Sequence, residues 1–445
     1  MCIRDRFTTV AVTIDWATVD DAGNVADHDT GLGAVPYDYR IGKFEITATQ
    51  YAEFLNAVAK EDTNHLYSEL EDANWLARTI DRFGEPGNYV YRPVADATNW
   101  PVNYTNFWEA ARFANWMHNG QPVGLQDENT TEDGAYTLTP ESIANNSVTR
   151  NPNARFFLPS EDEWYKAAYY KGGSLDAGYW NYPTQHDHEP LRTEPSGEPN
   201  SANYGGAVSV LRFGLVGGPA PTDVGSYHNT VGPYGTFDQA GNVWETTETV
   251  DEAYPDARLV KGGSFFIQFR DNLHRVDTTF GLVGDALSTR GFRMASLHLP
   301  CDFDGDFFCT VSDLDLLMDE ADSVDADLDG NGLVNDADRD RWLSLAALEN
   351  GHSEAYLVGD ANLDGVVDSR DLNEVGIYWL DTNARKWSEG NFTLEGKPGV
   401  NGLDLNELGV NWHQSNLNQE ARTVPEPGNF YWGLLLIPLV LRRFR

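Results

Sequence analysis

Three stretches in the last third of the chain set oxygen-bearing side chains at the same intervals. "DANLDGVVDSRD" places Asp360, Asn362, Asp364, Asp368 and Asp371 at positions 1, 3, 5, 9 and 12, with Gly365 at position 6. "DLDGNGLVNDAD" repeats the spacing with Asp327, Asp329, Asn331, Asn335 and Asp338 around Gly332. "DFDGDFFCTVSD" keeps Asp302, Asp304, Asp306 and Asp313 but has Phe307 where the glycine is expected. A calcium ion takes roughly six to eight hard oxygens from a flexible loop, and a glycine at the sixth position lets the chain turn. The spacing therefore points to calcium. A fourth run, "NFTLEGKPGVNGLD", begins with Asn391, lacks an acid at position 3 and carries Asp404 two residues late. The rival reading is a solvated acidic linker, and repetition in phase argues against it.

The acid is concentrated there. The chain of 445 residues has a formal charge of −38, and residues 301–424 hold 27 Asp and Glu against 7 Lys and Arg, a net of −20. A second module therefore begins near residue 300. Such a charge excludes nucleic acid and anionic membrane surfaces as partners and favours bound cations or solubility. Hydrophobic content of 41% with 13 Trp, 20 Tyr and 21 Phe excludes wholesale disorder. Three cysteines, Cys2, Cys301 and Cys309, make no disulfide framework. Cys301 and Cys309 either pair in an oxidising compartment or stand as two lone thiols near a loop.

Each acidic run ends in Asp and leads into one short helix. The strings "DLNEVGIYW" (371–379) and "DLNELGVNW" (404–412) are near copies. This pattern resembles dockerin repeats more than paired-helix EF-hands. The resemblance implies two repeat pairs, 301–345 and 356–415, and a cohesin-like protein as partner. A calcium-stiffened stalk is the other reading. After the repeats, Pro425-Glu426-Pro427 is followed by an apolar run from Phe430 to Leu441 and then Arg442, Arg443 and Arg445. That order resembles the PEP-CTERM sorting signal. The resemblance implies that 424–445 is a sorting signal with a short hydrophobic helix, processed by an exosortase-type enzyme. It also implies export to the cell surface or extracellular matrix of a Gram-negative-type bacterium, with at least transient membrane anchoring. The apolar run of 12 residues is shorter than the roughly 20 that span a bilayer. At the other end, "MCIRDR" (1–6) has charge and no apolar core, so it is not a signal peptide. It resembles translated adapter sequence and is read as a non-native start, with the true N-terminus and its signal peptide missing.

Residues 7–299 must position whatever the large domain does. "VAVTID" and "YDYRIGKFEIT" alternate as strands do. Tyr51, Phe54, Leu55 and Val58 fall on one helical face, with Thr49 as its expected cap. A second helix is expected after Asn106, and a third after Ser160, where Ser160 and Glu163 make a capping box. A polar insert fills about 119–153. Residues 172–298 are rich in Gly, Pro and aromatics with few helical patterns. The fold class is α+β with short, irregular strands.

The segments "YRIGKFEITATQYAEFLNAV", "WPVNYTNFWEAARFANWM", "RFFLPSEDEWYKAA", "FDQAGNVWE", "KGGSFF" and "RGFRMA" resemble the formylglycine-generating enzyme (sulfatase-modifying factor) family. The resemblance implies a C-type-lectin-like fold. It implies calcium held by Asp238 and Glu245 through side chains and by Gly241 and Val243 through carbonyls. A second family site would use Asn203 and Tyr204. The family's oxidase chemistry uses copper on two cysteine thiolates shortly after the Gly-Gly-Ser turn, and soft thiolates suit Cu(I). Here that segment runs Phe265, Phe266, Ile267, Gln268, Phe269, Arg270, Asp271, Asn272, and no cysteine lies between Phe7 and Pro300. No catalytic residue and no copper are therefore expected. The expected function is an exported calcium-binding protein whose large domain binds or scaffolds extracellular polysaccharide or matrix. The alternatives are an enzyme of altered chemistry, with histidines such as His186 and His188 holding another metal, and a dockerin-mediated assembly protein.

Overall fold

The computed structural model describes residues 11–415 except 74–76, 211–216, 267–269, 305–307, 320–325, 330 and 395–398. The expected sorting signal, Asp306, and Ile267 to Phe269 lie outside the described residues. The chain divides into two compact units, Met1–His298 and Leu299–Arg445. Among the described residues no helix is long and apolar enough to cross a membrane.

The N-terminal unit is built on two four-stranded sheets. The strands that matter are β1 (Trp16–Val19), β2 (Tyr39–Gly42), β3 (Phe156–Phe157), β4 (Trp244–Val250), β5 (Ala257–Lys261), β6 (Phe280–Leu282), β7 (Arg290–Gly291) and β8 (Ala295–Leu297). The first sheet has the order β1-β2-β8-β3 and the second β6-β5-β4-β7. In the second sheet β4 and β5 are antiparallel, with Glu245 opposite Lys261, and β7 runs parallel to β4 with Arg290 opposite Trp244. Three helices pack with these sheets: α1 (Ala48–Val58), α2 (Phe107–His118) and α3 (Glu161–Tyr169).

Caps fix where the helices start. Asn106 accepts from Trp108 N at 2.8 Å and Glu109 reaches back to the Asn106 N–H, closing the box that starts α2. Ser160 and Glu163 start α3 in the same way. For α1 the cap is Thr47 and not Thr49: Gln50 lies three residues after Thr47, and its Oε1 accepts the Thr47 N–H at 2.8 Å. The "VAVTID" alternation does not become a strand. Residues 11–15 are irregular, and pairing to β2 begins at Trp16. Helix α2 is buried from Phe107 to Met117. Tyr51, Phe54, Phe113, Trp116 and Phe292 interlock there with ring centroids 5.2 to 6.2 Å apart. This aromatic core supplies the burial that the short strands do not.

The C-terminal unit carries α4 (Val311–Asp319), α5 (Asp336–Glu349), α6 (Ser369–Ile377) and α7 (Gly402–Val410). Cys301 and Cys309 form a disulfide. Its two halves are organised alike. Trp342 Nε1 donates to Cys301 O at 2.8 Å, and Trp387 Nε1 donates to Asp360 O at 2.7 Å. Asn350 Nδ2 donates to Cys309 O at 2.9 Å, and Asn411 Nδ2 to Val358 O at 2.8 Å. In each half a fully buried tryptophan pins the start of an acidic loop.

Candidate functional site

The Gly-Gly-Ser turn leaves β5 after Lys261. Gly262 and Gly263 have φ of +92° and +76°, which L side chains avoid. A Cβ on Gly263 would sit 2.6 Å from Leu273 Cδ2. Leu273 is 1% exposed and packs with Tyr182, Ala202, Tyr204 and Ala240. Its carbonyl accepts Tyr169 OH at 3.3 Å. The space beside Gly263 is thus filled by an apolar side chain. Asn272 Nδ2 donates to Asp277 Oδ1 at 3.0 Å and Thr279 Oγ1 at 3.1 Å. Lys261 Nζ lies 2.7 Å from Glu161 Oε1 and donates to Asp277 O at 2.8 Å. Arg275 pairs with Asp27 and Asp29. Among the described residues of this segment, Leu273, Asn272 and Arg275 are each held by a partner, and its sequence has no thiol.

Near "GNVWE" the structure gathers three buried carboxylates, Glu45, Asp238 and Glu245, about the fully buried Arg293. Arg293 donates to both Glu245 oxygens, at 2.5 and 2.6 Å, and Trp164 Nε1 adds a third bond at 2.6 Å. Glu245 is therefore committed to an ion pair and does not fit a calcium ligand set. Asp238 accepts Gly225 N at 2.6 Å, and burial pushes its carboxyl up to about 6. Burial, with Asp238 and Glu245 adding to it, holds the Glu45 carboxyl well above the usual range. Gly241 is required because a Cβ there would lie 2.3 Å from Asn203 O. The Val243 N–H donates to Glu45 Oε1 at 3.2 Å. Asn203 Oδ1 is buried with no hydrogen-bond partner, while its Nδ2 donates to Ala220 O at 3.0 Å. Tyr204 OH donates to Pro190 O at 2.8 Å. Asp238 and Asn203 therefore keep oxygens suited to a hard cation and Glu245 does not. Sequence reasoning missed Glu45, because nothing in "KFEIT" distinguishes it from a surface acid.

The C-terminal loops share one internal geometry. Asp313, Asp338, Asp371 and Asp404 are at most 1% exposed. Each carboxylate takes backbone N–H groups at both ends of its loop. Asp371 accepts from Ala361 N and Asp368 N at 2.8 Å, and Asp404 from Phe392 N at 2.8 Å and Asn401 N at 2.9 Å. Asp313 accepts from Phe303 N at 2.8 Å and Thr310 N at 2.8 Å, and Asp338 from Asp329 N at 3.1 Å and Asn335 N at 2.8 Å. Asp404 thus occupies the same structural place as Asp371, two residues late or not.

The first acid folds back likewise. Asp327 accepts from Asn331 N at 3.0 Å and Gly332 N at 2.7 Å, and Asp360 from Asp364 N at 3.2 Å and Gly365 N at 2.8 Å. Asn335 and Asp368 cap α5 and α6. The carboxylates of Asp302, Asp304 and Asp313 converge within 4.8 Å, as do those of Asp327, Asp329 and Asp338. In the third loop Asp364 turns to Arg370 at 2.6 Å, and Asn362 Oδ1 accepts Asp364 N at 2.8 Å. Burial pushes the Asp360 carboxyl up to about 7. Among the described residues, no other group of three or more His, Cys, Asp or Glu brings its ligand atoms within 4.8 Å of one another. His186 Nδ1 faces Thr184 O at 2.6 Å, and His274 packs edge-on to Tyr182 at 5.2 Å.

The N-terminal unit combines a short-stranded α+β architecture with a Gly-Gly-Ser turn and a buried acid–arginine knot. Residues 23–297 match the family model described as the sulfatase-modifying factor enzyme 1-like domain. The chain belongs to that family. Solved structures similar to it include CarF, at 18% identity over 65% of this chain and 100% of that one, with a TM-score of 0.40. Treponema denticola variable protein 1 is 18% identical over 66% of this chain and 98% of that one, with a TM-score of 0.40. PvdO from Pseudomonas aeruginosa is 13% identical over 64% and 92%, with a TM-score of 0.32. No curated protein matches the chain.

Proposed function

We propose that this chain is an exported, surface-sorted, calcium-binding protein whose sulfatase-modifying-factor-type domain serves as a binding or scaffold module for extracellular polysaccharide or matrix. One observation carries the reading of that domain. The position beside Gly263 is occupied by Leu273, and no cysteine exists in the domain to hold copper. Calcium is assigned to the loops at 302–313, 327–338 and 360–371, where the acids recur in phase. The tail after Pro425 is the sorting element that an exosortase-type enzyme would process.

The test is retention of the purified full chain on insoluble polysaccharides and extracted matrix, beside metal analysis of the same sample. Retention with calcium as the stoichiometric metal supports the reading. A stoichiometric transition metal with no polymer retention would favour an enzyme of altered chemistry instead. A second reading has its own observation. Helix α6 and the turn after it expose Leu372, Ile377 and Trp379, and α7 and its following turn expose Leu405, Val410 and Trp412 at the matching places. These duplicated apolar positions favour dockerin-type capture of a cohesin-like protein, and calcium-dependent complex formation with a purified cohesin tests it.

A further inference from the structure

A cleft of about 320 Å³ opens beside the start of α1, lined by segments around Asp15, Glu45, Asn99 and Val224. It lies apart from the Gly-Gly-Ser turn. Its volume suits one small ligand or one unit of a polymer. Ile14, Phe44, Ile46 and Val224 form an apolar wall. Phe44 is held in place by stacking on Phe237 with centroids 5.3 Å apart.

Charge decides what class of ligand fits. The lining has Asp15, the buried Glu45, whose burial favours its neutral form, and no Lys, Arg or His. Glu45 is buried and accepts from Asn242 Nδ2 at 2.9 Å. Asp15 is exposed, and among the described residues its carboxylate makes no hydrogen bond or ion pair. The helix start does not compensate, because Thr47 Oγ1 already takes the Gln50 N–H at 3.2 Å and Gln50 Oε1 takes the Thr47 N–H. An anion is therefore disfavoured and an ammonium favoured. The rim supplies the Thr13 hydroxyl and the Asn99 amide, whose side chains are also unpartnered among the described residues. A plain alkylammonium leaves these two unmatched. An amino sugar matches them with hydroxyls and lays its C–H face on the Phe44 wall.

We propose that this cleft binds an amino sugar bearing a free amine, as a unit of a polysaccharide, with Asp15 pairing the ammonium. The proposal rests on the polymer-binding reading above and names the sugar class. The test is calorimetric titration of the full chain with glucosamine, N-acetylglucosamine and Nα-acetyl-lysine amide. Glucosamine is expected to saturate one site, and N-acetylglucosamine to bind roughly tenfold more weakly, the size of one charge-assisted hydrogen bond. Asp15→Asn should lower glucosamine affinity by a similar roughly tenfold factor without moving the melting temperature. Val224→Trp should abolish binding by filling the cleft. If Val224→Trp fails to fold, Asp15→Asn decides alone. Absence of saturable glucosamine binding, equal binding of the two sugars, tighter binding of the lysine amide, or indifference to Asp15→Asn would each overturn the proposal. Polymer retention that survives Val224→Trp overturns this site and leaves the polymer reading standing. Loss of polymer retention by the unmodified chain removes that reading itself.

Discussion

In the N-terminal unit several buried acids meet bases. Glu245 has Arg293, Glu163 and Glu248 share Arg150, and Glu161 has Lys261. In the C-terminal unit Asp313, Asp338, Asp371 and Asp404 are as deeply buried, yet their partners are backbone N–H groups. A backbone donor satisfies a carboxylate's hydrogen bonds without cancelling its charge. Around Arg293, Arg150 and Lys261 the N-terminal unit therefore cancels charge internally. The four carboxylates that close the C-terminal loops have donors but no base among those partners.

Breaking an internal pair should give the largest effect. Arg293→Met leaves Glu245 buried and unpaired, and should destabilise the N-terminal unit by about 3–5 kcal/mol, read by urea denaturation. Calcium should act on the other side of the comparison. Chelation should lower the melting transition of the C-terminal unit and leave that of the N-terminal unit nearly unchanged. Each site saturated at a hundredfold its dissociation constant contributes about 2.7 kcal/mol. Calorimetry of the full chain with and without chelator checks this.

Asp371→Asn and Asp404→Asn sharpen the contrast. Both lose a cap and should cost about 1–2 kcal/mol in chelator. Only Asp371→Asn should also blunt the calcium response, because the loop before Asp404 carries Asn391 and Thr393 at positions 1 and 3, where the loop before Asp371 has Asp360 and Asn362. Equal calcium responses in the two variants would reduce the carboxylates to caps.

The last effect is a pH dependence. Burial pushes Glu71 and Glu109 up to about 8 from an ordinary value of 4.5. The folded state then binds protons that the unfolded state releases, so stability is greatest below about 4.5 for these groups and falls as pH rises towards about 8. Melting temperatures of the N-terminal unit should decline across that window, and Glu71→Gln should flatten part of the slope.

Much of this frame is legible in the residues. Asn106 with Glu109, and Ser160 with Glu163, announce their helices because a capping box is local chemistry. At α1 two threonines satisfy the simple rule, and Gln50 decides for Thr47. The near copies after Asp371 and Asp404 reveal the alignment that spacing alone obscures. Other features depend on distant approach. Nothing in "RDNLHR" marks Leu273 as the group that meets Gly263, or Arg293 as the partner that withdraws Glu245 from metal binding. Those contacts exist only once the strands and helices are assembled, with Glu245 and Arg293 48 residues apart in the chain.

The inward-facing Asp at the end of each loop separates two properties that are often joined. Because backbone donors hold that Asp, a loop keeps its shape whether or not its outer acids remain. Copies of such a loop can drift freely at the outer positions after duplication. The segment from Asn391 to Asp404 shows the separation: positions 1 and 3 carry Asn391 and Thr393 and no acid, while Asp404 still closes the capping box that Asn401 opens at the start of α7. A repeat built this way can retire from ion binding and go on serving as structure.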